Sequence, residues 1–253
     1  MAPVVASRGN SPAAPQLRSL VPALLLHTTA FLWFSRVLLF HASPAAAQLP
    51  GSTGFGWFMR YLTFYTFTFQ TAALGLSAAD GWLTLLGRGV PLVARLADDL
   101  SCTLFAGSHV VSIMFHAIQA ATANKGIFSA MDAYRPWWLS PSVHALNVVV
   151  AWADMLISGK RSFSRVSERM STALVLGYIL LLNLSGYMNG EYPYPFMNKA
   201  KQPHCTIVTV AVGVVIFAAS FKAGKAAGNR ARAAVAGLTQ RAVQALHVCA
   251  KGL

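Results

Sequence analysis

Residues 205–221 read CTIVTVAVGVVIFAASF, seventeen consecutive positions without a charge. A hydrocarbon core of about 30 Å takes about 20 helical residues to cross, so a stretch of this kind reads as a membrane-spanning helix. The composition changes at once on its C-terminal side, where residues 222–253 carry Lys222, Lys225, Arg230, Arg232, Arg241 and Lys251. Upstream, five more apolar blocks fall at about 18–41, 57–79, 100–121, 138–158 and 172–188. Each is near spanning length. The expected fold is therefore an all-α integral membrane protein, a bundle of six transmembrane helices over residues 17–222. A Pro-, Ala- and Ser-rich N-terminal tail, 1–16, reads as disordered. The basic C-terminal tail, 223–253, reads either as solvated chain or, from Val235, Leu238, Ala242 and Leu246 at helical spacing, as an amphipathic surface helix.

The chain has 253 residues, of which 55% are hydrophobic and only 11% charged. An average soluble domain carries about 25% charged residues, so this chain has too few to cover a water-exposed surface. A net charge of +13 would in a soluble protein suggest nucleic acid. Here the basic residues lie between the apolar blocks and no nucleic-acid-binding signature accompanies them, so nucleic acid is not an expected partner. The membrane is. Cys102, Cys205 and Cys249 show no pair spacing, which implies neither a disulfide framework nor a zinc site. After the first block, SPAAAQ at 43–48 resembles a signal-peptidase site, but the block is long for a signal peptide and contains Arg36, which favours retention.

Lys and Arg set the orientation. With six spans, fourteen of the 20 fall on the side that holds both termini and five on the other, with Arg36 inside the first block, so both termini are expected in the cytosol. An endomembrane such as the endoplasmic reticulum, or the plasma membrane, is the expected location.

Polar residues inside spans are costly and face the bundle interior or do chemistry. In the second span Thr63, Thr66 and Gln70 share one helical face. In the third, His109, Ser112 and His116 do the same, a pattern that suits interhelical hydrogen bonding better than metal or haem ligation. In the fourth, His144 and Asn147 share a face, whereas Asp154 lies ten residues on, about 15 Å along the axis. That is too far to orient His144, so its ordinary partner is Lys160 or Arg161. The second and fourth spans both start from the poorly charged side, and Thr63 and His144 each sit about six residues, or roughly 9 Å, below it. A hydroxyl and an imidazole at matched depth on neighbouring helices are the minimum parts of a nucleophile and its general base.

Motifs around these residues resemble one family. Tyr61-Leu62-Thr63-Phe64 is followed by Gln70 and Gly75. Pro136-Trp137-Trp138-Leu139 is followed by His144. Gly177-Tyr178-Ile179-Leu180 precedes Gly190 and Tyr194-Pro195-Phe196. In order and spacing, over roughly residues 57–222, they resemble the androgen-induced protein family, multi-pass membrane hydrolases of fatty acid esters of hydroxy fatty acids. The resemblance implies that Thr63 takes the position of the catalytic threonine and His144 that of the catalytic histidine. Gln70, Asn147 and Tyr194 become supporting or substrate-contacting residues, with Ser142 a further candidate donor, and the substrate is a lipid that reaches the site from the bilayer. No cofactor is expected. Asp154 stands where the family carries a glutamate, Thr66 where an Asp or Asn is usual, and Ser140-Pro141 where it has Asn and His. Two other readings remain at this point. One is a lipid-binding or transport protein without covalent chemistry, and the other a b-type cytochrome using two of His27, His109, His116 and His144.

Overall fold

A computed structural model describes residues 14–122, 135–159, 161–199 and 202–251. The first thirteen residues of the expected disordered tail, and Lys125, Lys160 and Lys201, lie outside them. Among the described residues there is helix and no strand. Six long helices follow in order: α1, Ala14–His41; α2, Leu62–Leu85; α3, Pro91–Thr122; α4, Leu139–Ser158; α5, Arg165–Asn189; and α6, His204–Lys251. Two 3-10 helices, Pro44–Gln48 and Trp57–Arg60, bridge α1 and α2. A five-residue helix, Pro195–Lys199, sits between α5 and α6.

Five of the six, α1, α3, α4, α5 and α6, contain stretches long and apolar enough to cross a membrane. The sixth long helix, α2, has 24 residues, about 36 Å of length. Its hydropathy is lowered by Thr63, Thr66, Thr68, Gln70, Thr71, Ser77, Asp80 and Thr84. Several of these polar groups, Thr66, Gln70, Thr71 and Ser77 among them, are buried within the bundle. Apolar side chains instead face outward on the other helices: Leu39 is 71% exposed, Leu180 69% and Val215 67%. A soluble protein rarely exposes so many large aliphatics together. The chain is an integral, multi-pass membrane protein.

Helix α3 is the hub, packing on α2, α4, α5 and α6, while α1 lies against α2 and α4. Local signals fix the helix ends. The Ser164 hydroxyl caps α5 by accepting from the Val166 and Ser167 N–H groups at 3.0 and 3.1 Å. Gly159 and Gly190 end α4 and α5 in the left-handed region, at φ 58° and 72°. Helix α6 runs unbroken from the last apolar block through Lys222 to Lys251, so the basic segment is helical and continuous with it. Helix α3 starts about nine residues before the apolar block that marked it, because its first turns carry Arg95, Asp98 and Asp99 and are amphipathic rather than apolar.

One end of the bundle is joined by buried charges. The Asp154 carboxylate meets His27 Nε2 of α1 at 2.6 Å and accepts from Arg161 Nη2 at 2.7 Å and Arg161 Nε at 2.9 Å. Arg161 also donates to the Ser77 hydroxyl at 3.2 Å and lies 3.8 Å from Asp98. Of the two partners the sequence offered for Asp154, Arg161 is observed, and Lys160 lies outside the described residues. Burial opposes the charge on Arg161, but the facing Asp154 carboxylate overrides it and holds the guanidinium above its ordinary pKa.

Candidate active site

Towards the other end of the bundle lies an open cavity of about 460 Å³, to which all six long helices contribute. Its wall is overwhelmingly aliphatic and aromatic, and Thr63, Thr66, His144, Tyr178 and Tyr194 are among the residues that bring polar groups to it.

Thr63 stands in the first turn of α2. Further along that helix Thr68 and Thr71 return their hydroxyls to the carbonyls of Phe64 and Phe67, each at 2.8 Å. The carbonyl four residues before Thr63 belongs to Met59, in the preceding 3-10 helix, so this back-bond is not made. The α2 hydrogen-bond ladder begins with the Tyr65 N–H on the Tyr61 carbonyl at 3.0 Å. The N–H groups of Leu62, Thr63 and Phe64 precede it, at the positive end of the helix dipole.

One of those N–H groups is held from across the site. The Leu62 N–H donates to the Tyr194 hydroxyl at 2.9 Å. The Tyr178 hydroxyl donates to the Arg60 carbonyl at 3.1 Å and lies 3.0 Å from the Tyr194 hydroxyl. Because the single Tyr178 proton goes to that carbonyl, Tyr194 donates to Tyr178. The chain of bonds runs from Leu62 through Tyr194 and Tyr178 to Arg60. It ties the loop after α5 to both sides of Tyr61, and so fixes the start of α2 where Thr63 stands. Tyr194 thus touches the site through the backbone of the threonine's neighbour as well as through the cavity wall. Burial raises its hydroxyl above the ordinary tyrosine pKa.

His144 lies in a π-helical turn, Ser142–Leu146, inside α4. Such turns insert an extra residue into a helix and occur frequently at functional sites. The turn is braced at both ends. The Ser142 hydroxyl accepts from Trp33 Nε1 at 3.0 Å and donates to the Trp138 carbonyl at 2.7 Å, while the Asn147 carbonyl accepts from Gln70 Nε2 at 2.8 Å. Arg36, the charge inside the first apolar block, sits over the Trp33 and Trp138 rings at 5.1 and 5.3 Å from their centroids. The His144 imidazole is 9% exposed and stacks on Phe115 with ring centroids 3.4 Å apart and planes 5° from parallel. Its Nδ1 is buried with no hydrogen-bond partner. In a Ser-His-Asp triad a carboxylate would occupy that nitrogen; here a flat aromatic contact orients the ring instead.

The structure brings Thr63, His144 and Tyr194 to one cavity. Gln70 and Asn147 meet each other instead, and neither lines the cavity; they join α2 to α4 one turn beyond His144. Ser142 likewise braces the π turn. Thr66 lines the cavity, 1% exposed, with its hydroxyl unpaired. Of the histidines in the cytochrome reading, His144 stands in the cavity, His27 binds Asp154, and His109 accepts from Trp152 Nε1 at 2.8 Å, an interhelical bond of the kind its spacing suggested. Among the described residues no group of three or more His, Cys, Asp or Glu gathers in a metal-binding arrangement. Phe115, Tyr178 and Arg135 were not singled out from the sequence as site residues. Only Tyr178, inside a motif, carried any signal there.

Comparison with known families gives one match among the family models. The family described as FAR-17a/AIG1-like protein matches residues 22–229. The chain belongs to that family. This is the androgen-induced protein family that the Thr63, His144 and Tyr194 motifs resemble, and the match spans every residue that lines the cavity. Among curated proteins and among solved structures, nothing matches.

Proposed function

We propose that this FAR-17a/AIG1-like protein is a membrane-embedded lipid ester hydrolase, with Thr63 as nucleophile and His144 as general base, acting on fatty acid esters of hydroxy fatty acids. The observation that carries the reading is that Thr63 and His144 line one apolar cavity. The Thr63 hydroxyl oxygen attacks the ester carbonyl carbon while His144 takes its proton. The tetrahedral intermediate collapses, the carbon–oxygen bond to the leaving alcohol breaks, and that oxygen takes the proton back from His144. Water, deprotonated by His144, then attacks the acyl-threonine; the carbon–oxygen bond to Thr63 breaks, the Thr63 oxygen takes the proton back from His144, and the fatty acid is freed. Negative charge on the intermediate's oxygen is stabilised by the first-turn N–H groups at the start of α2, which Tyr194 and Tyr178 hold in place. This assignment replaces Gln70, Asn147 and Ser142, none of which lines the cavity; Gln70 Nε2 donates to the Asn147 carbonyl, and the Ser142 hydroxyl bridges Trp33 and the Trp138 carbonyl.

The same proposal includes α2 as a sixth span and both termini in the cytosol, which puts the cavity near the non-cytosolic face and the Asp154 network near the cytosolic one. An apolar cavity open within a bundle accepts acyl chains from the bilayer directly. Its aliphatic wall also suits the rival, a lipid-binding or transport protein, which binds the same ligands without turnover. Purified parent, Thr63→Ala and His144→Ala proteins incubated with a fatty acid ester of a hydroxy fatty acid separate the two. Turnover by the parent alone supports the hydrolase; equal rates in all three refute the mechanism; binding with no turnover by the parent selects the rival.

A further inference from the structure

Helices α5 and α6 both pack on α3, yet they are not a packed pair themselves. The cavity runs into the cleft this leaves. Val110 and Met114 of α3 form its floor, Leu174 and Ile179 of α5 one side, and Val210 and Val214 of α6 the other. Among the described lining residues on these three helices there is no Lys, Arg, Asp or Glu. From Phe115, on which His144 stacks, α3 leads along the cavity to Gly107, about 12 Å of helix. Outside the cleft Leu176, Leu180 and Val215 are 60%, 69% and 67% exposed and face lipid. The cleft therefore joins the Thr63 and His144 end of the cavity to the bilayer along an uncharged path.

Gly213 stands on α6 inside this cleft. A Cβ there would meet Met114 Sδ at 3.8 Å and Val110 Cγ1 at 3.9 Å, ordinary contacts, with nothing closer. Gly107 differs, for a Cβ there would fall 2.9 Å from Thr66 Cγ2. Close packing of α3 on α2 explains Gly107 and does not explain Gly213. Glycine is a poorer helix former than alanine, so helix stability does not explain it either. What the missing side chain provides is room beside Val110 and Met114.

We propose that the cleft between α5 and α6 is the acyl groove of this site and that Gly213 is its specificity-determining residue, admitting chains long enough to run past it along α3. The inference rests on the hydrolase reading for its catalytic meaning, but the seat it gives an alkyl chain stands without turnover. With an ester carbonyl beside Thr63 and His144, the acyl chain leads away from them over Met114 and Val110. A side chain at position 213 would occupy that course. Short acyl groups end before reaching it, so bulk at 213 penalises length and leaves the reacting end of the cavity open.

The test compares full-length parent, Gly213→Ala, Gly213→Leu and Val215→Leu in detergent. Val215 is exposed on the same helix and does not line the cavity, so it controls for added bulk. The quantity measured is the ratio of kcat/KM for the p-nitrophenyl ester of a long-chain fatty acid to that for the acetate. The expected ratio falls about threefold in Gly213→Ala and at least about tenfold in Gly213→Leu, and holds in Val215→Leu. Melting temperatures on the same samples identify the folded variants, and if Gly213→Leu does not fold, Gly213→Ala decides. A parental ratio in the folded Gly213 variants overturns the proposal, and so does an equal fall in Val215→Leu. A parental ratio together with loss of a dimer in Gly213→Leu also overturns it, by seating a second copy of the chain in the cleft. Methyl hexadecyl ether, which has no ester to cleave, separates this inference from the mechanism. If the parent hydrolyses neither ester, the mechanism at Thr63 fails. The groove then stands if the ether raises the melting temperature of parent and Val215→Leu but not of Gly213→Leu, and falls on any other pattern. A parent that hydrolyses both esters while the Gly213 variants keep its ratio loses the groove and keeps the mechanism.

Discussion

Replacing Asp154 with alanine should unfold the protein at much lower temperature and leave the chemistry of the surviving folded enzyme alone. The carboxylate is 6% exposed and receives three contacts of 2.6–2.9 Å, from His27 and twice from Arg161. Its loss leaves Arg161, itself 6% exposed, with the Ser77 hydroxyl at 3.2 Å and the more distant Asp98 at 3.8 Å. Removing one partner of a buried ion pair costs about 3–5 kcal/mol, because the remaining charge is stranded away from water. For a chain of this size each kcal/mol moves the midpoint by about 2–4 °C, so the melting temperature should fall by roughly 6–20 °C. Thermal unfolding in detergent, followed by intrinsic tryptophan fluorescence, measures this. The double variant Asp154→Leu with Arg161→Met, which strands no charge, should recover much of the loss. The catalytic rate well below the transition should match the parent, since Asp154 is engaged at the end of the bundle away from His144. A rate falling a hundredfold with an unchanged melting temperature would refute the reasoning, for it would make Asp154 the carboxylate that orients His144.

Thr63→Ala and His144→Ala should each lower hydrolysis by at least about a thousandfold, as expected when a nucleophile or its base is removed, and Thr63→Ala should lose labelling by a fluorophosphonate probe. Phe115→Leu removes the ring on which His144 stacks; the catalytic rate should fall about tenfold with little change in substrate affinity, read from the separate kcat and KM values. Tyr194→Phe deletes the acceptor of the Leu62 N–H and should cost about 1–3 kcal/mol in a melting experiment. It should also change the alkaline limb. Burial keeps the Tyr194 proton on in the folded state where the unfolded chain loses it, so the parent's stability holds below about pH 10 and declines as pH rises beyond. In Tyr194→Phe that decline should be shallower.

The spans were legible because the bilayer imposes a simple requirement, about 20 apolar residues in a row, on any helix that meets lipid. Helix α2 escaped it on hydropathy, since its Thr66, Gln70, Thr71 and Ser77 are buried against protein and need not be apolar. Past Lys222 the helical spacing left solvated chain and helix both open; α6 continues there because a basic, alanine-rich sequence is a good helix former whether or not lipid surrounds it. Thr63, His144 and Tyr194 were found from motif order and helical spacing, and the cavity gathers them. The roles of Gln70 and Asn147 were not readable, because spacing fixes the face of a helix but not which neighbour that face meets. Phe115 and Arg135 left no trace at all. A phenylalanine among fifteen, and one arginine in a loop, become distinctive only when the chain brings them to His144.

The π turn at Ser142–Leu146 bears on how this chain tolerates insertion and deletion. Each residue turns an α-helix by about 100°, so the extra residue sets the two halves of α4 out of phase by that angle. Trp33 grips the half before it through Ser142, and Gln70 the half after it through Asn147. A single-residue deletion within the turn would restore regular winding and swing one grip away from its partner, whatever residue was lost. The length of this segment is therefore under tighter constraint than its composition, and relatives that keep both grips should keep the count of residues between them.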